Sequence, residues 1–288
     1  STTAGAVNNG SADACGISST VLSTTAFTCT EVGSNPVTLT VSDNNGNTAT
    51  CGANVEVEDN VAPTASCNNV TVQLDASGNG STTAGAVHNT SADACGIAST
   101  GLSTTYFTCG EVGSNAVTLT VTDNNGNTAT CGANVEVEDN IPPTVSCQDV
   151  TVQLDALGVG STTAGAVHNT SADACGISST VLSTTDFTCG EVGSNPVTLT
   201  VTDNNGNTAT CGANVEVEDN VVPTVSCQDV TVQLGASGNG STTAVAINNG
   251  SADACGISTM VLSKTAFTCD DVGSNPVTLT VTDNNGNT

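Results

Sequence analysis

Residues 196–220 read PVTLTVTDNNGNTATCGANVEVEDN. Val197, Leu199 and Val201 alternate with Thr198, Thr200 and Thr202, the period-2 pattern of a half-buried strand. Asn205-Gly206 follows, a pair whose tolerance of positive φ predicts a type I′ hairpin turn. The return strand alternates again, with Val215 and Val217 on one face and Glu216 and Glu218 on the other. Nearly the same letters occur at 36–60 and 116–140, and most of them again from 276.

Working outward, the repetition has a period of 80 residues: STTAGAV begins at Ser1, Ser81 and Ser161, and STTAVAI at Ser241. That period suits a small domain and is too long for a solenoid coil. The division expected is a partial domain at 1–60 lacking its first strand, full domains at 61–140 and 141–220, and a partial domain at 221–288 lacking its last strand. Both ends fall inside a repeat, so the chain is expected to be a window on a longer array.

Charge limits the partners. There are 27 acidic residues against one base, Lys264, and the net charge is −26. Such a surface repels nucleic acid and anionic lipid and attracts cations. No apolar run approaches the ~20 residues of a membrane span. Aromatic residues are only 2% of the chain, so each 80-residue unit has a thin aliphatic core and needs staples. Cysteines recur at four places per unit, with spacings of 28, 14 and 22 in 67–131. Such a set lacks the close ligand pairs of a zinc site and reads as disulfides in an oxidising compartment.

Within 141–220 the chain order is a proline linker, a strand at 150–154, a glycine turn, a small-residue strand at 161–167, and a polar loop at 168–176. A strand at 177–184 follows, then one opening at Phe187, a turn at 191–195, and the hairpin. About seven short strands with turns every 8–12 residues predict an all-β, immunoglobulin-like sandwich, repeated as beads on a string. In that topology the first and last strands run parallel with their starts adjacent, which predicts Cys147–Cys211 and Cys67–Cys131. The remaining cysteines then pair within each unit as Cys15–Cys29, Cys95–Cys109, Cys175–Cys189 and Cys255–Cys269. Cys51 and Cys227 are left without partners in the chain.

The Ala-Asp-Ala-Cys-Gly loop, VGSNPVTLTVTDNNGNTATC and the VEDN-x-x-PT linker together resemble the hyalin-repeat (HYR) modules of extracellular proteins, most of all the tandem versions in large bacterial surface proteins. The resemblance covers every unit. It implies an immunoglobulin-like fold, a role in adhesion or extracellular structure, and no catalysis. The loop departs from the family's usual Asp-Asn-Cys in carrying Ala before the cysteine.

Three constellations remain. The sandwich topology gathers linker acids with the loop and hairpin turn of the next unit: Glu58, Asp59, Asn60, Asp93 and Asp123; Glu138, Asp139, Asn140, Asp173 and Asp203; Glu218, Asp219, Asn220, Asp253 and Asp283. Carboxylates with Asn and backbone carbonyls suit a hard cation of the calcium type, and the same residues also favour turns by themselves. N-glycosylation triplets fall at Asn9, Asn69, Asn79, Asn89, Asn169, Asn239 and Asn249. The only histidines, His88 and His168, are replaced by Asn8 and Asn248 in the outer units, which argues against a catalytic set and for surface loop positions. The function expected is a disulfide-stapled, glycosylated extracellular or cell-surface filament or stalk, its partners being copies of itself. The alternative is the spacer of a calcium-dependent adhesin whose binding tip, and so its cell-surface ligand, lies outside this chain. Neither reading includes nucleic acid, membrane insertion or an enzyme activity.

Overall fold

The computed structural model describes residues 1–288, which form two compact units, Ser1–Asp139 and Asn140–Thr288. The second unit holds the complete repeat at 141–220. Its elements are β1 (Val150–Gln153), β2 (Val159–Ser161), a single helical turn α1 (Ala164–Val167), β3 (Ile177–Leu182), β4 (Asp186–Thr188), β5 (Gly193–Asp203) and β6 (Thr208–Glu218). A four-stranded sheet has the order β1-β6-β5-β3, and β2 pairs with β4 in a second, two-stranded sheet. β1 and β6 are parallel, with Val150 beside Val215 and Gln153 beside Glu218; the other pairs are antiparallel. The fold is thus an all-β sandwich of immunoglobulin type.

The alternation read from the sequence is what builds the core. Val197, Leu199 and Val201 of β5 and Val215 and Val217 of β6 point inward and are buried. They meet Val152, Leu154, Val167, Leu182 and Phe187. Phe187 is the one aromatic of this core, carried by the short sheet against the long one. Each inward aliphatic contributes about 1.5–3 kcal/mol by leaving water, a modest total for a repeat of this size. The Cys147–Cys211 bond, with Cα atoms 5.9 Å apart, joins the starts of the parallel pair, and Cys67–Cys131 does the same in the first unit.

Three local expectations change. The stretch 161–167 is not a strand throughout: after Ser161 it turns into α1, because Thr163 caps the turn by accepting the Ala166 N–H and Ala-Gly-Ala-Val puts no bulk in its way. At 188–191 the chain makes a 3-10 turn, Cys189–Glu191, closed by a capping box in which Glu191 accepts the Thr188 N–H at 2.8 Å and Thr188 Oγ1 accepts the Glu191 N–H. β5 then begins at Gly193, inside the stretch read as a turn. The hairpin turn is not type I′, since no residue other than glycine has positive φ and only Gly206 is left-handed, at 95°. The cause is Asp203, whose Oδ1 accepts the N–H groups of Asn205 and Asn207, both at 2.8 Å. That geometry wraps the chain round the carboxylate and leaves one glycine to close the loop.

The first unit repeats the plan at 61–139. The sheet there runs Val70–Gln73, Thr128–Glu138, Gly113–Asp123, Ile97–Leu102. The outer repeats keep part of it: Ile17–Leu22, Gly33–Asp43 and Thr48–Val57 form a three-stranded sheet, and Ile257–Leu262 pairs with Leu279–Asp283. No helix is long and apolar enough to cross a membrane.

Candidate metal centre at the repeat junctions

Each complete repeat presents different chemistry at its two ends. At the end where β6 leaves lie the β1–β2 turn, the Cys189–Glu191 turn and the exit Glu218-Asp219-Asn220. At the other end lie the Ala-Asp-Ala-Cys-Gly loop and the hairpin turn, tied together by Asn204, whose Nδ2 donates to the Cys175 carbonyl at 2.7 Å. The same asparagine bond recurs at Asn44, Asn124 and Asn284. Where one repeat follows another inside a unit, the exit of the first meets the loop of the second.

This polarity corrects the disulfide pairing. Cys29 bonds to Cys95 and Cys189 to Cys255, each with Cα atoms 5.1 Å apart. The expected pairs Cys15–Cys29, Cys95–Cys109, Cys175–Cys189 and Cys255–Cys269 do not form; Cys109 and Cys175 are disulfide-bonded, and Cys15 and Cys269 are exposed free thiols, as are Cys51 and Cys227. The reason is distance. Cys175 and Cys189 are close in sequence, but β3 runs the length of the sandwich between them, about 20 Å for a strand of this size. Cys189 therefore reaches the next repeat sooner than its own loop. The beads are not free on their string: covalent bonds cross from repeat to repeat. Gly158 makes room for this. It is buried at φ 75°, and a Cβ there would lie 2.5 Å from Cys189 Sγ and 3.2 Å from Ala254 Cβ.

The predicted acidic groups separate into two kinds. Asp203 is consumed by its own turn: besides the two backbone bonds, its Oδ2 accepts from Asn207 Nδ2 at 2.8 Å. Burial pushes its carboxyl up, but the hydrogen bonds from Asn207, Asn205 and Gly206 outweigh this and hold it below its ordinary value. Asp123 and Asp283 behave alike. The turn's contribution to the junction comes instead from its last asparagine: Asn287 Nδ2 donates to the Asp219 carbonyl at 2.9 Å, and Asn127 Nδ2 to the Asp59 carbonyl at 3.0 Å. The linker acid Glu218 turns back along β1, where Gln153 Nε2 donates to it at 2.7 Å; Asn220 binds Gln153 Oε1 at 2.6 Å. Glu138 accepts from Gln73, and Glu58 from Asn60.

Two carboxylates at each of these junctions do converge. Asp219 and Asp253 present oxygens within 4.8 Å of each other and of Cys255 Sγ; Asp59, Asp93 and Cys95 form the same group in the first unit. Asp219 is 6% exposed. Its Oδ1 accepts the Val221 N–H at 3.1 Å, while its Oδ2 is enclosed and has no partner. Asp59 Oδ2 is orphaned in the same way. Asp253 is half-buried and its Oδ1 accepts the Cys255 N–H at 2.8 Å. Two like charges this close repel, and an unpaired buried carboxylate oxygen is costly. The donor set is oxygen-only, because the cysteine sulfur is in a disulfide, so it suits a hard divalent cation that takes its remaining ligands from water or carbonyls. Of the middle group, Asp139 is buried and Asp173 Oδ1 accepts the Cys175 N–H at 2.8 Å.

The seven glycosylation triplets all place their asparagine on the exposed surface. His88 and His168 do not sit in open loops. They are half-buried, paired by backbone bridges with Cys67 and Cys147, and their enclosed Nε2 atoms have no partner. Sequence reasoning passed over the asparagines that stitch loop, turn and linker. Their signal was the invariance of Asp-Asn-Asn-Gly-Asn across all four copies.

Comparison with known proteins gives the following. Residues 138–217 match the model of the HYR domain. Hyalin of the sea urchin Strongylocentrotus purpuratus is 34% identical over 278 residues, which is 89% of this chain and 22% of that protein. The chain thus spans under a quarter of the length of this curated relative, an animal protein rather than a bacterial one. Among solved structures, the protocadherin gammaB4 extracellular domain is 17% identical, with 69% of this chain and 40% of that chain covered and a TM-score of 0.31. Sidekick-1 immunoglobulin domains 1–4 are 10% identical, with 67% and 60% covered and a TM-score of 0.32. The disulfides fit an oxidising environment, and the chain is one of the cell exterior or surface. Its repeats are HYR-like tandem sandwiches, and the chain is similar in sequence to hyalin.

Proposed function

We propose that the chain is a structural, adhesion-type stalk or filament of HYR-like domains, divided at 1–60, 61–140, 141–220 and 221–288, with calcium at the junctions and glycans on the exposed asparagines. The observation that carries this reading is the pair of junction disulfides, Cys29–Cys95 and Cys189–Cys255. A binding module needs a distinctive recognition surface, whereas these bonds repeat the same connection and serve to hold neighbours in one relation. The orphaned Asp59 and Asp219 oxygens support calcium at the same place. Self-association is the partner reading that follows for such a polymer, with no nucleic acid involved at this charge.

Imaging of the native material tests it. Ordered fibres of many chains are expected; single stalks rooted in cells and ending in a separate tip would favour the adhesin spacer instead. An intact mass above the 28.1 kDa of the chain checks the glycans.

A further inference from the structure

We propose that the junction disulfide and the junction cation are thermodynamically coupled, so that each raises the strength of the other. The proposal rests on the cation reading above and concerns how that site is regulated. Both links cross the same boundary. Cys189 and Asp219 belong to one repeat, Cys255 and Asp253 to the next. Cys255 and Asp253 are parts of a single turn, since the Cys255 N–H donates to Asp253 Oδ1 at 2.8 Å. Fixing the sulfur therefore fixes the carboxylate, and it does so within 4.8 Å of Asp219, whose buried Oδ2 has no partner. The other junction has the same parts: Cys95 N–H on Asp93 Oδ1 at 2.7 Å, the Cys29–Cys95 bond, and the orphaned Asp59 Oδ2. A bond that has already ordered the two faces lowers the ordering cost of the second link, and linkage makes the effect reciprocal.

The coupling is read at equilibrium, because a cation also alters the approach of an anionic thiol to the acidic junction and so confuses rates. The full chain is equilibrated in mixtures of reduced and oxidised dithiothreitol, with either calcium chloride or EDTA at matched ionic strength. Dithiothreitol supplies two electrons and two protons, the Cys189–Cys255 bond becomes two thiols, and the reagent closes to its cyclic disulfide. Differential alkylation and peptide mass mapping give the oxidised fraction. Calcium is expected to shift the Cys189–Cys255 and Cys29–Cys95 equilibria toward the disulfide by about tenfold, with Cys147–Cys211 unmoved as the internal reference. Calorimetry should show calcium bound more weakly, by the same factor per junction, in the C189S/C255S variant. D219N/D253N should abolish the shift at Cys189–Cys255 alone. Since C189S/C255S could perturb folding, the titration of the unmodified chain stands without it. Calcium that binds in an Asp219-dependent way yet leaves the redox equilibrium unchanged overturns the coupling and spares the cation site. No calcium binding at all removes the cation site and the coupling with it.

Discussion

Asp203 shows how much one carboxylate can organise. It accepts two backbone N–H groups and one side-chain amide, and so determines the turn, its handedness and the position of Asn207. Asp203→Ala removes all three acceptor contacts at a buried position and is expected to cost about 2–3 kcal/mol, read as a lower denaturant midpoint with unchanged slope. The pH response follows with a definite sign. Asp203 has a carboxyl that burial raises and hydrogen bonds lower further, with the net shift downward; Glu191 is lowered first by the Thr188 hydroxyl and then by its N–H. Groups depressed in the folded state contribute stability that is complete above the unfolded value and is lost as pH falls through the folded one. The melting temperature should therefore hold from neutral pH to about 5 and fall below about 4, and Asp203→Asn should flatten the fall.

At the scale of elements, β1 is held at the sheet edge by its parallel pairing with β6. Val150–Gln153 lies parallel beside β6, and Val70–Gln73 lies in the same way beside Thr128–Glu138. The Cys147–Cys211 bond secures that parallel pair across a separation of 64 residues, and its removal is expected to cost about 4 kcal/mol in a denaturation experiment. The β1–β2 turn is equally constrained from outside. Gly158→Ala would force a left-handed alanine against the Cys189 sulfur, and a loss of about 2 kcal/mol is expected for the second unit.

For the whole molecule, the balance is between a net charge of −26 and the links that hold like-charged repeats together. Sodium chloride should stabilise the chain by screening. Calcium at matched ionic strength should raise the melting temperature further, and chelation should reverse only that added part. Breaking Cys189–Cys255 with C189S/C255S should expose the linker at 219–225 to proteolysis while leaving the Cys147–Cys211 loop intact, as mapped by peptide mass.

Short-range features were legible in the letters themselves. Alternation in 196–218 assigned the buried faces of β5 and β6, and the parallel first and last strands led to Cys147–Cys211. Both are consequences of a period-2 backbone and a common topology. The Thr188-Cys189-Gly190-Glu191 capping box was also written there in full, though it reads as readily as a strand opening. What tertiary structure alone decided was the direction in which each remaining cysteine looks and which acids stay unspent. Sequence distance favoured Cys175 for Cys189, but a strand between them places the two at opposite ends of the sandwich. Likewise, five junction residues of similar chemistry divide according to hydrogen bonds that exist only once the turn, the linker and the loop have met. Periodicity is local and survives in the sequence; partnership between ends of successive repeats is set by three-dimensional distance, which the sequence does not carry.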